Sequence, residues 1–165
     1  MDKTKIGGVI QYTDVALVGI MAVPDRPGIA AAVFEALGSR GINVLFIAQS
    51  VDLNNYTHIV FCVASKDLSQ ALGLLEPAEQ EFGGRAVIRN ARVAIVSIFG
   101  PDFRERPGIA GVMCRALAKA DINILSISTS ISSVSCVIDE DRLPDAVAVL
   151  KDTFEFHDRW NIAVQ

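Results

Sequence analysis

The pentapeptide Arg26-Pro27-Gly28-Ile29-Ala30 returns, eighty residues on, as Arg106-Pro107-Gly108-Ile109-Ala110. At the same spacing Ala36-Leu37 is matched by Ala116-Leu117, and Ile42-Asn43-Val44 by Ile122-Asn123-Ile124. Farther along, Val60-Phe61-Cys62-Val63 resembles Val134-Ser135-Cys136-Val137 at a spacing six residues shorter. Blocks that stay in register over such a distance mark an internal duplication. A chain of 165 residues has room for one ordinary domain or two small ones, and the duplication selects two.

Each copy reads as the same succession of elements. In the first, residues 15–23 are apolar and β-branched and predict a buried strand. Ile29, Val33 and Leu37, four apart, predict one apolar face of a helix, with Pro27 in its first turn and Gly41 marking its end. Residues 42–51 read as a second strand, 52–55 as a turn rich in asparagine, and 57–63 as a third strand. Leu68, Ala71, Leu72 and Leu75 line a second helix, Gly83-Gly84 breaks the chain, and residues 85–89 read as a fourth strand. The second copy gives strands at 93–99, 122–130 and 134–138, a helix at 108–119, and a last helix carrying Leu143, Val147, Leu150 and Phe154. Asp139-Glu140-Asp141 puts negative charge near the start of that last helix.

The second copy lacks a clear final strand, while residues 8–12 are a strand left over at the beginning. The economical arrangement lets this N-terminal strand complete the second sheet. The fold class expected is α+β: two ferredoxin-like βαββαβ domains, antiparallel sheets with helices on one face, the first domain inserted after the N-terminal strand of the second. The expected bounds are 13–91 for the first domain, 6–12 with 92–156 for the second, and a tail at 157–165.

Composition removes several classes of function. Hydrophobic residues make up 51% of the chain and charged residues 21%, enough to bury a core. The net charge is −4 and no Lys/Arg cluster stands out, so the electrostatic footprint of a nucleic-acid binder is missing. Asp14, Asp25 and Arg26 interrupt the early apolar stretch, so no membrane span is expected, and no signal-peptide pattern follows Met1. Cys62, Cys114 and Cys136 are far apart and show no metal-ligand spacing. They read as reduced, structural thiols of a cytoplasmic protein. His58 and His157 are lone histidines without Cys or His at metal spacing. Ser128, Thr129, Ser130, Ser132 and Ser133 have no base beside them in sequence and read as strand and turn residues. No metal, cofactor or catalytic constellation is expected.

The run from Val23 through Pro24-Asp25-Arg26-Pro27-Gly28-Ile29-Ala30, then Gly41-Ile42-Asn43-Val44 and Gln49, resembles the first ACT domain of aspartokinases. Ile127-Ser128-Thr129-Ser130, then residues 134–141, and the leading Ile6-Gly7-Gly8-Val9, resemble that family's second ACT domain. The likeness covers roughly residues 6–156. Where the family follows Ser-Thr-Ser with glutamate and, two positions later, arginine, this chain has Ile131 and Ser133. Nothing in the chain matches the family's Lys-Phe-Gly-Gly-Thr-like nucleotide motif, nor a glycine-rich phosphate loop.

The resemblance implies an amino-acid effector site, for threonine or lysine, between ACT domains. By it, Asp25 meets the effector's ammonium or hydroxyl, Pro27, Gly28, Ile29 and Ala30 form the helix start with its backbone N–H donors, and Gln49 adds a polar side chain. Asn123 and Ile124 close the site from an opposing second ACT domain. A second site would draw on Asn43, Arg106, Gly108, Ile109 and Thr129. Elementary chemistry is compatible: a helix start beside glycine receives a carboxylate, and one nearby acid pairs an ammonium.

The resemblance implies an allosteric sensor, non-catalytic by itself, acting on a kinase catalytic domain or subunit. The alternative is a stand-alone tandem ACT protein that regulates another protein by contact. A small enzyme of ferredoxin-like fold is the third reading, and it lacks a catalytic constellation. Each sheet has one face covered by helices, and its other face or an edge carries apolar residues that need cover. A symmetric homodimer is therefore expected, its sheets side by side or face to face, with the effector at the seam.

Overall fold

The structure, a computed structural model, describes residues 3–101 and 103–156. The expected tail at 157–165, His157, and Asp102 lie outside the described residues. In chain order the strands and helices are β1 (Lys5–Ile6), β2 (Gly8–Pro24), α1 (Ile29–Gly38), β3 (Phe46–Val51), β4 (Tyr56–Ala64) and α2 (Leu68–Phe82). The second half adds β5 (Arg85–Phe99), α3 (Ile109–Lys119), β6 (Ser126–Thr129), β7 (Ser133–Asp139), α4 (Leu143–Thr153) and β8 (Glu155–Phe156). The described residues divide into two compact units, residues 14–92 and residues 3–13 with those from 93 to 156. Strands β2 and β5 each give one half to each unit. The first unit is thus inserted after the N-terminal strand of the second.

In the unit of residues 14–92 the hydrogen-bonded order is β3-β4-β2-β5. β4 pairs antiparallel with both neighbours, Val18 standing opposite Phe61 and Ile47 opposite the same residue on the other side. Val18, Ile20, Ile59, Phe61 and Val63 meet Ile29, Val33 and Leu37 of α1 and Ala71 and Leu75 of α2 in one core. The four-residue apolar spacing of α1 is what turns these three side chains to the sheet. Phe34 adds an edge-on contact to Phe61, ring centroids 5.7 Å apart.

The unit of residues 93–156 repeats the plan. β7 pairs antiparallel with β5 and β6, and Val96, Ile98, Cys136 and Ile138 face Met113, Leu117, Ala146 and Leu150. Ile6 and Phe154 are fully buried in this core, which ties both ends of the described chain to it. Gly7 and Gly8 lie against the Phe99 ring, and a Cβ at Gly7 would stand 2.6 Å from it. The Gly7 N–H donates to the Phe99 carbonyl.

Several elements differ from the sequence expectation. Residues 8–12 and 15–23 are one strand, as are 85–89 and 93–99, because exposed residues such as Asp14 and Arg92 interrupt the apolar pattern but not the strand. The strands expected from 42 and 122 begin only at Phe46 and Ser126, so Asn43 and Asn123 lie in loops. Ile42 and Ile122 are buried there because their N–H groups turn back to Leu37 and Leu117 at the helix ends. Pro27 lies before the helix, whose N-cap is Gly28. The second copy does end in a strand, the two-residue β8, paired parallel with β1. Asp139 closes β7, and Glu140 and Asp141 sit in a single 3-10 turn, which leaves Asp145 as the acid in the first turn of α4.

Candidate functional site

Three sequence-chosen groups come to one side of the first unit. The Asp25 carboxylate is exposed at the end of β2. Its N–H donates to the Asn55 carbonyl at 2.9 Å, and its Oδ1 accepts a 2.7 Å hydrogen bond from the Thr57 hydroxyl. Thr57 is fully buried on β4, so one carboxylate oxygen is fixed to the sheet while the group itself reaches solvent. Three residues on, Gly28 opens α1 at φ +102°, a backbone state that suits glycine, with open space where a Cβ would stand.

No side chain caps α1. Its first internal bond runs from the Ala32 N–H to the Gly28 carbonyl, so the N–H groups of Ile29, Ala30 and Ala31 precede that bond. Such a start receives an anion. The Ile29 side chain is buried in the core, and only its backbone faces the loop. Gln49 on β3 stands opposite Ile59, and Val51 opposite Thr57. Residues directly opposite share a face, so Gln49 lies on the helix-bearing face, exposed at the edge strand.

The remaining candidates are distributed differently. Asn43 and Asn123 are exposed in corresponding loops after α1 and α3. Ile124 is half-buried against the second core. Gly108 opens α3 at φ +93°, again without a side-chain cap, and Ile109 is buried behind it. Arg106 is half-buried with its N–H directed to the Phe103 carbonyl, and Thr129 is exposed at the end of β6. The second copy lacks the Thr57–Asp25 pair: by the spacing of the repeats Glu105 and Ile131 take those places, and Ile131 is 67% exposed. Beside α3 lies a cavity of about 520 Å³, lined among others by Gly108, Val112, Arg115, Lys119 and Thr153.

Sequence reasoning missed the residues that hold Asp25. Thr57 looked like an ordinary strand residue, and Asp52 and His58 like turn and strand residues. His58 Nε2 lies 3.0 Å from Asp52 Oδ2, and that contact holds the Asp52 carboxyl below the usual carboxylate range. The available signal was a polar triplet, Asp52, Thr57 and His58, around a turn beside an otherwise apolar strand. Arg26, central to the repeated motif, turns away from the loop: it donates to the Glu81 carbonyl at 2.9 Å and lies 4.6 Å over the Phe82 ring at the end of α2.

Burial pushes the Cys62 and Cys136 thiols up to about 12, so both stay protonated near neutrality. Ser130 and Ser133 bond to one another within their turn. Among the described residues no group of His, Cys, Asp and Glu could hold a metal, and no helix is long and apolar enough to cross a membrane.

Comparison with known proteins agrees with both units. The ACT-domain family matches residues 18–83 and again residues 96–154. The aspartate kinase of Pseudomonas putida is 37% identical over 155 residues, which are 94% of this chain and 38% of that protein. An aspartokinase of Thermus thermophilus is 36% identical, again over 38% of its length. This chain therefore spans under two fifths of the length of the curated relatives it matches. The ligand-free regulatory subunit of aspartate kinase from Thermus thermophilus superposes with a TM-score of 0.82 at 36% identity, covering 91% of this chain and 99% of that one. Aspartate kinase from Synechocystis gives 0.84 at 37% identity, over 93% of this chain and 27% of its own. What the chain carries is the regulatory region, non-catalytic by itself. It belongs to the ACT-domain family, as the tandem pair found in the regulatory region of aspartate kinases.

Proposed function

We propose that this module senses a free amino acid, threonine or lysine, and passes its occupancy to an aspartate kinase catalytic domain or subunit. The observation that carries the reading is the pairing, within one loop, of a fixed acid at Asp25 with an uncapped helix start at Gly28. An α-amino acid presents an ammonium and a carboxylate a few ångström apart, and these two features complement them. Gln49 supplies a polar group on the same face. Asn123 and Ile124 lie on the second ACT domain, whose bounds we place at 6–12 with 92–156, against 13–91 for the first, and those of a partner copy would close the site. Asn43, Arg106, Gly108, Ile109 and Thr129 would form a second site.

Regulation then follows from differential affinity: the effector favours whichever arrangement binds it more tightly, and the attached kinase responds to that population. The working form is a homodimer. Apolar side chains on the edge strands suit its seam. Ile47 and Val51 on β3 and Ile127 on β6 are each at least 40% exposed. The free thiols suit a reducing compartment, the cytoplasm.

Amide spectra recorded during addition of threonine, then lysine, test the site. Saturable shifts are expected at Asp25, Gly28, Ile29, Ala30, Gln49, Asn123 and Ile124. Shifts confined to other residues would contradict the assignment. Sedimentation should return twice the chain mass, and a monomer with and without effector would rule out the dimer.

A further inference from the structure

The exposed Asp25 carboxylate is aimed by groups that lie outside its own loop. Its two anchors are the Asn55 carbonyl, in the turn between β3 and β4, and the Thr57 hydroxyl, at the start of β4 just after that turn. That turn is organised by Asp52, whose Oδ1 accepts the N–H groups of Asn54 at 2.8 Å and Tyr56 at 3.0 Å. Asn55 sits at φ +60°, a state such a turn must hold in place. The other oxygen of Asp52 meets His58 Nε2 at 3.0 Å.

The far side of the same imidazole reaches the strand that carries Asp25. Between Ile20 and Val23 the register of β2 against β4 shifts, with Ile20 opposite Ile59 and Val23 opposite Thr57. Two residues, Met21 and Ala22, therefore face His58 alone, which is a β-bulge. Ala22 takes φ +58°, and its N–H donates to His58 Nδ1 at 3.2 Å. Because Nδ1 accepts, the ring proton is on Nε2, where it is donated to Asp52. His58 thus joins the bulge three residues before Asp25 to the turn that grips Asp25.

We propose that His58 and Asp52 are positioning residues for effector recognition, a bridge that fixes the direction of the Asp25 carboxylate without touching the ligand. The proposal rests on the reading of Asp25 as the effector's acid. It explains a half-buried histidine and acid that the effector site itself does not use.

Two readouts on His58→Ala, His58→Gln and Asp52→Asn test it. In unliganded protein, hydrogen exchange of the Asp25 amide should quicken about tenfold in His58→Ala, the weight of one net hydrogen bond, while the Phe61 and Ile95 amides keep their protection. In a titration with threonine, His58→Ala should weaken binding about tenfold. His58→Gln, whose amide can both accept and donate, should recover most of that loss. In an Asp25→Ala background, His58→Ala should cost nothing further. Unchanged Asp25 exchange, or losses from His58→Ala and Asp25→Ala that simply add, would overturn the bridge. If His58→Ala does not fold, Asp52→Asn decides by the same two readouts. If the wild-type chain takes up neither threonine nor lysine, the effector reading fails, and the exchange of the Asp25 amide still decides the bridge.

Discussion

Gly28 and Gly108 occupy the same place in the two repeats, with φ values of +102° and +93° and nothing within 4 Å of where a Cβ would be. Their cost of substitution is therefore backbone strain alone, about 1–2 kcal/mol. Gly28→Ala should lower stability by that amount in urea unfolding and should weaken effector binding, because it tilts the N–H groups that open α1. The Asp52 carboxyl gives a pH signature. Its hydrogen bond from His58 lowers its pKa in the folded chain, so it stabilises the fold above the unfolded value of about 3.9 and loses that effect as pH falls through the folded value. The difference in melting temperature between wild type and Asp52→Ala should be present at pH 7 and close below about pH 4. A difference independent of pH would contradict the assigned bond. At this scale the sequence was legible where a residue type has one conformational use, as at Gly28. It was not legible at His58 or Thr57, whose roles depend on a neighbour thirty or more residues away.

Among the elements, apolar spacing located α1, α2 and α4, and the repeat located α3; three or four buried positions in each leave little choice of face. Strand ends were harder. Asn43-Val44 and Asn123-Ile124 carry strand-like side chains, yet Ile42 and Ile122 bond back to the preceding helix and delay the strand. The duplication itself makes a prediction here. Leu37 and Leu117 are corresponding residues, each with no exposed surface. Truncation of either to alanine should cost about 3 kcal/mol, from lost transfer energy and the cavity left behind. Closely similar losses in urea unfolding are expected, and a loss under about 1 kcal/mol at either would mean that its core is not packed as described.

For the whole molecule, the insertion of one unit into the other could be read from a missing strand and a spare one, because a sheet of this kind needs its full complement. What could not be read was that β2 and β5 run unbroken from one unit to the other, since exposed Thr13, Asp14 and Arg92 resemble linker residues. Sequence grouped Asp25 and Gly28 in one candidate site but did not reveal that Thr57 anchors the acid of the first repeat, a pair with no counterpart among the described residues of the second. On the proposed function, that asymmetry favours the first repeat as the sensor. The most direct measurement is a calorimetric titration of the purified chain with threonine and with lysine, repeated on Asp25→Ala. Saturable binding of one of them, weakened about tenfold or more in Asp25→Ala, is the expected result, because a charge-assisted pair is lost. A folded chain that binds neither amino acid, or an Asp25→Ala variant that binds as well as wild type, would contradict it.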